Sequence, residues 1–155
     1  MEDRFFGYKT SIILASARLS KILNEVFHIL NTKKEYNLSH EEYLLLEIIY
    51  NEEGITPSQL SNITAIQYSY ICKLLKKLEK FGYIEIKDGI RGKKQKIKKA
   101  YLTELGKETC TEIYNILETI YLKVTTKEEQ QRRLLISEEL NKISNKFSTY
   151  FNVKL

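Results

Sequence analysis

The sequence predicts a mainly α-helical fold carrying one small β-hairpin, on three observations between Thr56 and Leu102. First, Thr56, Pro57 and Gln59 spell a capped helix start, and Thr64 with Gln67 spells a second one close behind. In each, a threonine oxygen accepts a free amide while the third residue reaches back, so two short helices follow one another as a tight pair. Second, the apolar residues Ile71, Leu74, Leu75, Leu78 and Phe81 fall at the spacing of one helix face, and Gly82 stands where a left-handed cap ends it. Third, Tyr83, Ile84 and Ile86 alternate with Glu85 and Lys87, and Ile97, Ala100, Tyr101 and Leu102 mark a return strand beyond the stretch DGIRGKKQK. A helix pair followed by a hairpin is the plan of a winged helix-turn-helix, here flanked by long N- and C-terminal helices.

Taken in order, the first helix runs from about Tyr8 to Asn31 and carries two apolar stripes. Ile12, Ala15, Leu19, Ile22, Val26 and Ile29 form one; Leu23, Phe27 and Leu30 lie beside them. So wide a face must be covered twice, once by its own domain and once by a second surface, most simply the same helix of a partner subunit. His28 within it reads as a polar residue at the edge of the packed face, since no second His or Cys stands at ligand spacing. Ser39 with Glu42 is a further capping box, opening a helix with Tyr43, Leu44, Leu45, Leu46, Ile48, Ile49 and Tyr50 that is expected to be nearly all buried. It ends at Asn51 to Gly54, and Ile55 adds a short strand that pairs with the hairpin. Beyond the hairpin, Thr103 to about Lys123 and Lys127 to Phe151 read as two long helices with wide apolar faces. No linker or repeat divides the chain. One domain, 1–155, is expected, with a winged helix-turn-helix over 40–102 between dimerisation helices at 8–31 and 103–151.

Charge gives the central motif a purpose. The net charge is +5, yet residues 67–100 hold eleven Lys/Arg against Glu79, Glu85 and Asp88. The face opposite the apolar stripe bears Ser69, Lys73, Lys76 and Lys80, and an oily back with a basic, hydroxyl-bearing front suits a major groove. A lysine run by itself is usually a solvated face, but on a capped helix pair with a basic loop behind it the pattern is the electrostatic footprint of phosphate binding. Gln67, Tyr68, Ser69, Tyr70 and Lys73 are expected at the groove entry, reading bases. Lys76, Lys77 and Lys80 are expected on phosphates, and Arg91, Lys93, Lys94 and Lys96 in a narrow minor groove. Cys72 lies on the flank between core and groove; it reads as a small, partly packed residue rather than a thiol switch, because no resolving cysteine is near in sequence.

Other classes find little support. There is no GxGxxG, no P-loop, no Ser/His/Asp constellation and only two histidines, so no catalytic residue, metal or cofactor is expected. Cys72 and Cys110 lack metal-ligand spacing and suit a reducing compartment. No apolar stretch approaches a membrane span and the N-terminus lacks a leader pattern, so a cytoplasmic protein is expected. A winged helix serving plasmid or phage replication is the alternative to a regulator, since fold alone does not choose.

The order of these elements, with SYICKLLKKLEKFGYI and LTELG in place, resembles the MarR/SarA family of winged-helix regulators over nearly the whole chain, most specifically Leu60 to Gly106. The spacing from Leu60 to Ile71, with Tyr68 and Tyr70, is similar to the staphylococcal SarA-like branch. The resemblance implies a homodimer that binds an inverted-repeat operator in double-stranded DNA and represses, and a small aromatic effector, although aromatics at helical spacing are more often core than pocket. The family wing commonly carries an Asp followed closely by an Arg. Gly92, Lys93, Lys94 and Gln95 stand there instead, with Asp88 and Arg91 in a shifted position, so only the wing's role carries over.

Overall fold

The computed structural model describes residues 12–91 and 95–151. Among them are six helices, α1 (Ile12–Lys34), α2 (His40–Asn51), α3 (Pro57–Thr64), α4 (Tyr68–Lys80), α5 (Glu104–Val124) and α6 (Lys127–Phe151), and two strands, β1 (Ile84–Arg91) and β2 (Gln95–Leu102). The chain divides after Leu44 into two compact units.

In the first unit the two stripes of α1 separate. Phe27 and Leu30 are buried, whereas Leu19, Ile22 and Ile29 are more than half exposed. The expected start at Tyr8 and the side chain of Ile12 lie outside the described residues. Asn31 closes the turn into α2, its side chain donating to the Leu38 carbonyl at 2.6 Å and accepting from the Leu38 amide at 3.1 Å. Across that turn Glu35 and Asn37 both adopt positive φ. The Ser39 capping box forms, with the Glu42 amide on Ser39 Oγ and the Ser39 amide on the buried Glu42 carboxylate. Phe27 and Tyr43 meet with ring centroids 5.4 Å apart.

α2 is less enclosed than expected. Leu45, Leu46 and Ile49 are buried, but Tyr50 is 51% exposed and Leu44 also reaches the surface, because so dense an apolar run wraps around more than one helix face.

In the second unit, Leu60, Ile71, Leu74, Leu75, Leu78, Ile84, Ala100, Leu102 and Ile113 are buried together with Leu45, Leu46 and Ile49. The strands pair antiparallel from Ile84↔Leu102 to Arg91↔Gln95, and Ile55 adds the expected bridge to Ala100. Gly106 lets α5 start hard against the hairpin: a Cβ there would come within 2.0 Å of the Tyr83 carbonyl oxygen. Thr103 ties the same corner, accepting from the Gly106 amide while donating to the Gly82 carbonyl at 2.6 Å.

Candidate nucleic-acid interface

The helix pair is set by its caps. Thr56 and Gln59 form the full capping box that the sequence predicts, with Pro57 in the first turn, and Leu60 is sealed in the core. The second box is a correction. Thr64 is the last residue of α3, donating to the Leu60 carbonyl and accepting the Ile66 amide, while Gln67 caps α4 without a side-chain hydrogen bond. Thr64 is thus spent on the turn, which Ser61 also clasps by donating to the Ile66 carbonyl at 2.7 Å, and the chain reverses through Ala65 at φ +57°.

α4 ends as expected. The Tyr83 amide reaches the Leu78 carbonyl and the Gly82 amide the Glu79 carbonyl, with Gly82 left-handed at φ +77°, the double bond of a Schellman cap. Phe81 departs from the predicted stripe. It lies beyond the last helical turn, 41% exposed, with Lys77 Nζ 5.9 Å from its ring centroid.

The four buried residues Ile71, Leu74, Leu75 and Leu78 line one side of α4. At about 100° per residue, Ser69, Lys73, Lys76 and Lys80 fall within about 60° of one another, directly opposite. All four are exposed. Gln67 is exposed at the helix entry. Tyr68 and Tyr70, 54% and 42% exposed, leave the helix on opposite flanks of that row, Tyr70 on the Lys77 side and Tyr68 on the side of Cys72 and Glu79. The neighbouring half-buried Cys72 thiol raises the pKa of the Tyr68 phenol.

In the hairpin, Lys96 is exposed on β2 across from Ile90. Lys93 and Lys94 lie outside the described residues, as does the side chain of Arg91. Two further cations are held within the hairpin. Lys98 pairs with Asp88 on the facing rung at 2.7 Å, which holds that carboxyl below its ordinary range and raises the lysine. Lys87 contacts Glu85 and lies 5.0 Å from the Tyr101 ring centroid. Asp88 therefore has Lys98 as its partner, a pairing decided by strand register and invisible before the turn length was known. Sequence reasoning also missed Glu79, whose carboxylate accepts the Ile86 amide at 3.3 Å and links the last turn of α4 to β1.

A shallow groove of about 550 Å³ opens where Tyr50 meets α5, lined by Glu104, Lys107, Glu108, Thr111, Glu112 and Asn115. Its wall is acidic rather than aromatic. Among the described residues no group of His, Cys, Asp and Glu could hold a metal ion, and no helix is long and apolar enough to cross a membrane.

Solved structures share this architecture. A MarR protein from Peptoclostridium difficile is 27% identical over 94% of each chain, with a TM-score of 0.71. A putative MarR family transcriptional regulator from Listeria monocytogenes, complexed with 26mer DNA, is 24% identical over 90% of each chain, with a TM-score of 0.69. FabT of Streptococcus pneumoniae in complex with DNA is 19% identical, covering 88% of this chain and 96% of that chain, with a TM-score of 0.58. No curated protein sequence matches the chain. Residues 42–121, just over half of the chain and including the helix pair, α4 and the hairpin, match the winged helix DNA-binding domain family, and the chain belongs to that family.

Proposed function

We propose that this protein is a MarR-type transcriptional regulator that binds double-stranded DNA as a homodimer, with α4 in the major groove and the hairpin wing in the adjacent minor groove, and that it acts as a repressor. The observation that carries this reading is the row Ser69, Lys73, Lys76 and Lys80, exposed back to back with the buried stripe of α4. A rigid helix with hydroxyl and ammonium donors along its outer face matches the acceptors of groove edges and phosphates, and the local charge excess supplies the counterion-release term. In this reading Gln67, Ser69 and Lys73 meet base edges, joined from the flanks by Tyr68 and Tyr70. Lys76, Lys77, Lys80 and Lys96, with Arg91, Lys93 and Lys94, hold phosphates.

The dimer is supported by what α1 and α6 leave uncovered. Leu19, Ile22 and Ile29 on the first, and Leu134, Leu135, Leu140, Phe147 and Tyr150 on the second, are all about half or more exposed. Isolated apolar residues at a surface are ordinary, but long helices bearing this many mark an interface. Light scattering at micromolar concentration should give twice the 18.3 kDa chain mass, and a monomer would refute the dimer. A small aromatic effector completes the reading. Thermal shift against a panel of aromatic acids tests it, with no shift by any of them counting against it.

The decisive experiment is selection of bound duplexes from a random pool. An inverted repeat should emerge, its half-sites about 34 Å or a small multiple apart. No enrichment over the starting pool would sink the regulator, and tandem direct repeats would favour the replication role.

A further inference from the structure

Along the face of the hairpin that covers the core, the rungs change character with distance from it. Ile84↔Leu102 and Ile86↔Ala100 come first, with three of the four residues buried; the Asp88↔Lys98 ion pair follows, and then Ile90↔Lys96. Ile90 is 74% exposed, the most of any large hydrophobic residue among those described between α2 and α5. Strand alternation puts it on the same face as the core residues, but two rungs beyond where the core ends. Among the described residues, what the hairpin places across from it is not apolar. Its neighbour across the rung is a lysine, also exposed.

We infer that Ile90 is a DNA contact of the wing, packing its methyl groups on the deoxyribose wall of the minor groove while Lys96, on the same rung, takes the adjoining phosphate. This rests on the DNA-binding reading above. A sugar-phosphate backbone alternates a weakly polar, C–H-rich ring with an anion, and the rung Ile90↔Lys96 presents an aliphatic group beside a cation in matching order. The charge complementarity is on the rung itself: of the other described lysines of the hairpin, Lys87 and Lys98 pair with carboxylates and Lys99 lies on the opposite face, whereas Lys96 shares the face of Ile90, one rung from the Asp88–Lys98 pair. The two contacts differ in physical kind. The lysine displaces a counterion and so weakens with salt, whereas burial of the isoleucine releases none.

That difference makes the test. Binding of the full chain to a fluorescein-labelled mixed-sequence duplex is followed by anisotropy across a salt series for the parent, Ile90→Ser, Ile90→Thr and Lys96→Ala, with thermal unfolding run in parallel. Both Ile90 variants should unfold with the parent, because the side chain is exposed. Ile90→Ser should bind about tenfold more weakly at every salt concentration, giving a line parallel to the parent's. Ile90→Thr, which keeps a methyl group and the strand preference, should fall between. Lys96→Ala should instead flatten the slope by about 0.9 in log affinity against log salt. If the parent binds and both Ile90 variants bind equally well, or if their loss disappears at high salt, the inference is overturned while the DNA-binding reading stands. A parent that binds no duplex would overturn both.

Discussion

α4 and α6 are both amphipathic by sequence, and the fold treats them in opposite ways. The stripe of α4 is sealed within the chain, with Leu78 and Ile71 at 0% exposure. On α6, Leu134, Leu135, Ile136, Leu140 and Phe147 remain 48–68% exposed, although the helix is anchored to α5 through Arg133, which forks onto the Glu118 carboxylate at 2.9 and 2.7 Å and lies 4.7 Å from the Tyr121 ring centroid. The same periodic signal thus encodes two different things: a face whose cover is supplied by the chain, and a face held ready by a polar clasp. The polar faces differ as well. That of α4 is cationic with no acid in its outward row, whereas α6 intersperses Glu128, Arg132, Glu139 and Lys142 in intrahelical ion pairs that serve only its own solubility and helicity.

The largest effect should come from emptying the covered face. Leu78→Ala is expected to cost about 3 kcal/mol, through lost transfer energy and the cavity left behind, and to lower the thermal midpoint by many degrees. Leu134→Ala should change stability by less than about 0.5 kcal/mol at concentrations where the chain is monomeric, and by more where it is dimeric. Equal costs at all concentrations would break the distinction between the helices.

Next should come Gly106→Ala. The added methyl would collide with the Tyr83 carbonyl at the corner that sets α5 against the hairpin, at a cost of about 2 kcal/mol or more in chemical denaturation. Gly82→Ala meets no neighbouring atom and should be milder, limited to the strain of its left-handed φ, about 1 kcal/mol.

On the outer face of α4 the effects are on binding. Ser69→Ala and Lys73→Ala should lower affinity for a selected operator more than for mixed-sequence duplex, while Lys76→Ala and Lys80→Ala should lower both alike and flatten the salt dependence by about 0.9 each. Anisotropy titrations at several salt concentrations separate the two groups. The same pattern from both would mean that α4 enters the groove in another orientation.

The smallest effect concerns the two thiols. Burial, reinforced by the Glu47 charge, pushes the Cys110 thiol from 9.0 up to about 11. Its folded form therefore binds the proton more tightly. The stability this confers is fully present below pH 9 and is lost as the pH rises toward about 11. Iodoacetamide at pH 8 should label half-buried Cys72 and spare Cys110 until the chain unfolds, which peptide masses will report. Early labelling of Cys110 would show that the α5 core opens more readily than the stripe of α4.

What the sequence by itself determined was everything carried by near neighbours. The Thr56 and Ser39 caps, the four buried residues of α4, the left-handed Gly82, the hairpin and the opposite cationic row all follow from spacings of a few residues, where helix and strand periods leave little choice. Tertiary structure decided what depends on partners far along the chain. Thr64 was drawn from the α4 cap into the preceding turn, Phe81 fell outside the stripe once the helix had ended, and the stripe of α1 through Leu19, Ile22 and Ile29 stayed exposed while that of Phe27 and Leu30 packed. The hairpin register set Asp88 against Lys98 and Ile90 against Lys96, and the close approach of Tyr83 made Gly106 indispensable. A period tells which side of an element is apolar, but coverage and charge pairing depend on long-range packing, where a shift of one residue in register exchanges every facing side chain.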